Sequence, residues 1–166
     1  MKACFPPVVD SGTRLLILGS LPGEESLRQQ RYYAHPRNQF WTLVGEVIGE
    51  DLAAMDYDKR LRALIRHRIG LWDVVAEAQR AGSLDTRIRN AAGNDLAALV
   101  QSLPSLAAIA FNGGTAARIG LRQLGDRAGR LKILRLPSSS PAHTLPIAEK
   151  RAAWMRLREA LQGATS

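Results

Sequence analysis

The chain has 166 residues, 46% of them hydrophobic, with a single cysteine at Cys4. That is enough apolar material for one domain with a core, and it excludes a disulfide framework, a four-cysteine zinc site and a cysteine-ligated iron–sulfur cluster. Lysine and arginine total 23 against 15 acidic residues, a net charge of +8, which either attracts phosphate polyanions or belongs to ordinary solvated arginines.

The opening MKACFPPVVDSG lacks the sustained apolar stretch of a secretion signal, and no window holds the run that a membrane span needs. A cytoplasmic protein with no membrane partner is the expectation. With no repeat, low-complexity tract or linker, residues 1–166 are expected to form one domain. Short apolar runs alternate with amphipathic segments, the pattern of an α/β layered domain. The run TRLLILGS predicts a buried strand over Arg14–Leu18 that enters a loop at Gly19. A short segment, Glu24–Gln30, precedes YYAHPRNQFW, where Pro36 suits the first turn of a helix. Phe40, Trp41, Val44, Val47 and Ile48 then recur at helical spacing. A second helix is predicted over Asp58–His67, with Leu61, Leu64 and Ile65 on one face. IGLWDVV predicts a strand over Ile69–Trp72 leading into a helix that stops near Gly82. Asn94 is placed as the N-cap of a helix over Asp95–Leu103. LAAIAF is a third strand, ending at Asn112-Gly113-Gly114 where another helix begins, and LKILRL is a fourth, ending in Pro137-Ser138-Ser139-Ser140-Pro141. The last helix starts near Pro146 and buries Ile147, Trp154, Leu157 and Leu161, with Lys150, Arg151, Arg156 and Arg158 on its other faces.

The loops GSLPG, FNGG and LPSSSPA each follow a predicted strand. In an open α/β sheet such loops gather on one rim, where ligands bind. Gly19-Ser20-Leu21-Pro22-Gly23 lets a backbone approach a ligand closely. It lacks the lysine of a Walker loop and is not GxGxxG, and an ordinary turn fits it equally. In the aromatic-rich stretch, Tyr33 could stack on a planar base, Arg37 could meet a phosphate, and Asn38 could hold a water, read a base edge or cap the helix. Asn112 could recognise a base or bond its own turn. Ser138, Ser139 and Ser140, bracketed by prolines, could bind phosphates or form a bare turn, and His143 could approach nucleic acid or be structural. His35, His67 and His143 have no metal-ligand spacing, Asp56, Asp58 and Asp73 form no two-metal pattern, and no GxSxG elbow is present.

Taken together, ILGSLPGEES…YYAHPRNQFW, GLWDVV, FNGG and LPSSSPA resemble the uracil-DNA glycosylase superfamily, over about Arg14–Leu161. Within it the match is to the hypoxanthine-DNA glycosylase branch, also called DNA-deoxyinosine glycosylases, with the mismatch-specific uracil/thymine branch as near relative. The resemblance implies a three-layer α/β/α fold around a short, mainly parallel four-stranded sheet. It implies metal-independent hydrolysis of the N-glycosidic bond of a deaminated base in double-stranded DNA, with no cofactor and a monomeric enzyme. One departure stands out: where the superfamily's first motif offers a polar residue to activate water, this chain has Leu21. The hypoxanthine branch shares that lack, and the resemblance gives the water-orienting role to Asn38. It makes Tyr33 the residue stacking on the flipped base and Asn112 a base contact. Gly19, Ser20 and Leu21 also line the base site. The resemblance makes the loop Ser138, Ser139, Ser140, Pro141 and Ala142 the one that enters the duplex, and Pro22, Gly23, Arg37 and His143 are expected to contact the DNA. Other readings stay open: uracil or mismatched thymine as substrate, or a binding module without catalysis, which Leu21 keeps in play.

Overall fold

The protein is described here by a computed structural model covering residues 2–3, 5–78 and 92–162. In chain order its strands and α-helices are β1 (Lys2–Ala3), β2 (Leu15–Gly19), α1 (Glu24–Gln29), α2 (Phe40–Ile48), α3 (Tyr57–Arg66), β3 (Ile69–Asp73), β4 (Val75–Ala78), β5 (Ala92–Gly93), α4 (Leu96–Ser102), β6 (Ala108–Asn112), α5 (Gly114–Leu124), β7 (Lys132–Leu136), α6 (Ile147–Trp154) and α7 (Leu157–Gln162).

β2 is apolar along its whole length and buried throughout, the mark of a strand covered on both faces of a parallel sheet. It pairs in parallel with β3 on one side and β6 on the other, and β6 pairs in parallel with β7, giving the order β3-β2-β6-β7. Its side chains alternate between two cores. Leu15 and Ile17 pack with Phe40, Trp41 and Val44 of α2, Leu64 of α3, Trp154 of α6 and Leu157 of α7. Leu16 and Leu18 pack with Leu96 of α4 and Ala116, Ala117 and Leu124 of α5. Helices therefore cover both faces of a four-stranded sheet, the three-layer arrangement expected, and all of its strands are parallel. No helix among the described residues is long and apolar enough to cross a membrane.

Four local expectations are corrected. The segment after β3 does not turn into a helix: Val75–Ala78 is a strand, antiparallel to β1 and β5. The chain stays extended because Val74 N–H donates to Gly19 O at 2.8 Å and Val75 N–H to Ser20 O at 3.0 Å. The remainder of that expected helix, to Gly82, lies outside the described residues. Asn94 does not cap α4. Its Nδ2 donates to Asp73 O at 2.6 Å, and Asp95 takes the cap by accepting Ala98 N–H at 3.1 Å. Pro36 lies in a turn, where Asn38 N–H donates to His35 O at 2.9 Å, and the helix begins at Phe40. The last helical segment is broken at Met155–Arg156, and Lys150 is buried at 1% exposure instead of facing solvent.

Helix α5 lies so close to the sheet that a Cβ at Gly120 would sit 2.3 Å from Phe111 Cε1 and 3.1 Å from Val74 Cγ1. Gly120→Ala is therefore expected to destabilise the fold by about 1–3 kcal/mol through overpacking, read as a lower denaturant midpoint with an unchanged slope.

Candidate active site

The chain leaving the carboxyl ends of β2, β3, β6 and β7 meets at one rim and encloses a cavity of about 400 Å³. Its walls are the glycine loop Gly19, Ser20, Leu21, Pro22 and Gly23 with the start of α1, the aromatic segment through Tyr33, His35 and Asn38, the strand ends Asp73 and Asn112, and Ser138, Ser139, Ser140 and Pro141. Twelve of the residues singled out in the sequence thus share one cavity, whereas Arg37 and His143 are exposed and do not line it. Leu21 lines the cavity while also packing into the core beside Leu18.

The aromatic segment is fixed from behind. Tyr32 is buried, its hydroxyl donating to Pro6 O at 3.0 Å, its N–H to Tyr57 Oη at 2.8 Å, and its carbonyl accepting Trp41 Nε1 at 3.3 Å. Tyr33 follows with φ 54, in the left-handed region that side chains seldom adopt. That backbone turns its ring onto Phe40, stacked at 3.9 Å with an interplanar angle of 11°. Tyr33 is thus a ring at the cavity wall, backed by a buried phenylalanine.

Asn38 does two things at once. Its Oδ1 accepts the N–H of Phe40 at 3.0 Å and so holds the start of α2, while the side chain borders the cavity. Asn112 is engaged with the serine loop: Nδ2 donates to Ser139 Oγ, and Oδ1 accepts Ser139 N–H, both at 2.9 Å. Ser139 is fully buried, and its carbonyl accepts Gln39 N–H at 3.0 Å. It anchors the loop from inside, so the outward-facing part of the loop is Ser138, Ser140 and Pro141. Two groups from α6 hold the same loop: Lys150 Nζ donates to Ser140 O at 3.2 Å and Trp154 Nε1 to Pro137 O at 2.9 Å. Burial pushes the Lys150 ammonium below the ordinary lysine range.

Sequence reasoning missed Asp73 as part of the site. It ends β3, is 3% exposed, and its Oδ2 has no hydrogen-bond partner. Burial pushes its carboxyl up to about 7. The Tyr33 hydroxyl beside it also makes no hydrogen bond of ordinary geometry. Burial and then the Asp73 charge raise the phenol above the usual tyrosine range, with the Asn112 amide acting in the opposite direction. The other carboxyl oxygen and the phenol converge on Gly19: a Cβ there would stand 2.7 Å from Asp73 Oδ1 and 2.9 Å from Tyr33 Oη. An acid closing an apolar strand, on the rim where the glycine loop also ends, was the signal available in IGLWD.

An unfolded aspartate ionises near 3.8 and this one near 7. The folded chain therefore binds more protons between those values, and its stability falls as pH rises across that window, levelling off above it. The ionised form costs the folded state on the order of 4 kcal/mol at most. Asp73→Asn is expected to unfold at a higher temperature than the wild type at pH 8, with the advantage shrinking towards pH 5.

Comparison with known proteins agrees with this arrangement. A model of the uracil DNA glycosylase superfamily matches residues 6–161. Two relatives, each named Hypoxanthine DNA glycosylase, come from Methanosarcina barkeri and Methanosarcina acetivorans. The first is 43% identical over 155 residues, covering 92% of this chain and 95% of its own. The second is 44% identical over 156 residues, covering 93% and 96%. The solution NMR structure of a Methanosarcina acetivorans protein superposes with a TM-score of 0.85 at 42% identity, over 97% of this chain and 98% of that one. With its parallel sheet, its rim of loops and a match over almost its whole length, the chain belongs to the uracil DNA glycosylase superfamily.

Proposed function

We propose that the protein is a DNA glycosylase that removes a deaminated base, hypoxanthine foremost, from double-stranded DNA by metal-independent hydrolysis of the N-glycosidic bond, acting as a monomer in base excision repair. The observation that carries this reading is the gathering of Asn38, Tyr33, Asn112 and the Gly19–Gly23 loop around one cavity. The names of the two relatives supply the preferred base.

A base inside a duplex must leave the stack before chemistry can reach it, at a cost of a few kcal/mol. The net charge of +8 supplies sequence-blind attraction to the phosphates. The outward part of the serine loop faces the distorted backbone, and its rigid anchoring keeps it in place. Tyr33, stacked from behind on Phe40, replaces the lost stacking of the extruded base, worth roughly 1–3 kcal/mol.

Departure of the base puts positive character on the sugar and negative character on the base. The glycine loop presents backbone amides to that negative charge, and Asn112 retains one amide hydrogen after its bond to Ser139. Asn38 orients water towards C1′. Its Oδ1 has two lone pairs; the Phe40 N–H takes one and fixes the side chain, and the other accepts a hydrogen bond from water. An amide is too weak a base to deprotonate water early, and a sugar cation already largely formed does not require it.

Asn38→Ala is expected to keep DNA binding and lose excision by roughly 100-fold or more, the scale of one positioned polar group. Labelled duplexes carrying inosine, uracil or xanthine, cleaved with alkali after incubation, provide the readout. Turnover by the variant at the wild-type rate refutes the assignment. Tyr33→Ala is expected to weaken capture of the extruded base, raising KM on duplex substrates more than it lowers kcat; unchanged kinetics rule out stacking.

A further inference from the structure

Asp73 is left over after the steps above. It lies at the end of β3 in the cavity wall, 3% exposed, with an unpartnered Oδ2. Among the described residues no salt bridge reaches it. A buried carboxyl without a cation or a hydrogen-bond donor weakens a fold, so packing does not account for its presence. Its Oδ1 and the Tyr33 hydroxyl, which makes no hydrogen bond of ordinary geometry, both stand within 3 Å of where a Gly19 Cβ would be. The floor of the candidate base pocket therefore holds polar capacity that the protein does not use.

The charge that develops in the reaction decides which form of the carboxyl is productive. Breaking the glycosidic bond sends its electron pair onto the base. A carboxylate facing that base would repel it, in a site where low dielectric magnifies the effect. A carboxylic acid would offer an O–H to it. We propose that Asp73 is a further catalytic residue, presenting its carboxyl in the neutral form as a hydrogen-bond and proton donor to the departing base. The inference rests on the glycosylase reading and assigns a group to the leaving-base side of it.

The step balances without any added reagent. The bond from C1′ to the base nitrogen breaks and its electrons stay with the base. Asp73 transfers its proton to the base, and water adds to C1′. The proton shed by that water returns through solvent to the carboxylate. The elevated ionisation of Asp73, near 7, leaves much of the carboxyl protonated at neutral pH. The other titratable groups lining the cavity are Glu24 and Glu25 of α1, Tyr32, Tyr33 and His35, while the adjoining strand ends contribute Gly19 and Asn112, which do not titrate.

The test is the pH dependence of hypoxanthine excision, measured at subsaturating enzyme so that it reports the free protein, from about pH 5.5 to about 9. The wild-type rate is expected to fall through about 7, approaching tenfold per pH unit, the slope of a single titrating acid. In Asp73→Asn the amide offers a hydrogen bond at every pH but no transferable proton, and the departing base takes its proton from solvent, so this descending limb disappears and the ratio of variant to wild-type rate rises more than tenfold across the range. His35→Gln, which removes the only imidazole in the cavity wall, is expected to keep the limb. A limb that survives in Asp73→Asn, or a wild-type rate that is flat or rising through this range, overturns the role of Asp73 and leaves the glycosylase reading intact. Absence of excision at every pH takes both down. Should the variant fail to fold, ¹³C titration of the wild-type Asp73 carboxyl decides the matter: added hypoxanthine is expected to hold it protonated to higher pH, and no response to the base overturns the proposal.

Discussion

The cavity floor depends on a missing carbon atom. At the end of β2, Gly19 leaves open the space into which Asp73 from β3 and the Tyr33 hydroxyl from the aromatic segment both project, within 3 Å of where its Cβ would be. Any side chain there would push one of them out. The same strand end supplies the carbonyls of Gly19 and Ser20 that hold Val74 and Val75 extended. The turn thus fixes the acid from the backbone side while making room for it on the other. Asp73 Oδ2 and the Tyr33 hydroxyl stay buried beside it without hydrogen bonds of ordinary geometry, a local instability of the kind that collects at functional sites.

Rigidity is supplied around that floor. Phe40 backs Tyr33 and is itself the first residue of a helix whose amide Asn38 caps. The serine loop is bound to three different elements through Gln39, Asn112 and the pair Lys150 and Trp154. Binding groups held this way keep their geometry when a substrate arrives, so less of the binding free energy is spent on ordering them.

Much of this was legible in the amino-acid sequence, for identifiable reasons. The central strands are continuous apolar runs and the helices have clear apolar faces, so periodicity located them. The cavity wall followed from loops placed after strands. What failed was what periodicity does not encode. Val75 has the apolar neighbours of a helix, and the carbonyls of Gly19 and Ser20 together with the antiparallel strands β1 and β5 keep it extended. Lys150 has the composition of a solvated face, and only the Ser140 carbonyl opposite explains its burial. Ser139 sits between half-buried serines and is drawn fully inward by Asn112. Asp73 became visible as a site residue only when β2 and β3 were laid side by side with Leu18 opposite Trp72 and Gly19 opposite Asp73. In each case the deciding partner lies ten or more residues away, beyond any local pattern.

The anchoring of the serine loop has a mechanical corollary. Lys150 and Trp154 tie its backbone to α6, and α6 is packed against the sheet through Trp154. A force applied at Ser138 or Pro141 is therefore passed into the body of the protein instead of being absorbed by local bending. In the proposed function, a loop held this stiffly against a duplex leaves the nucleic acid as the softer of the two, and it is the double helix that yields.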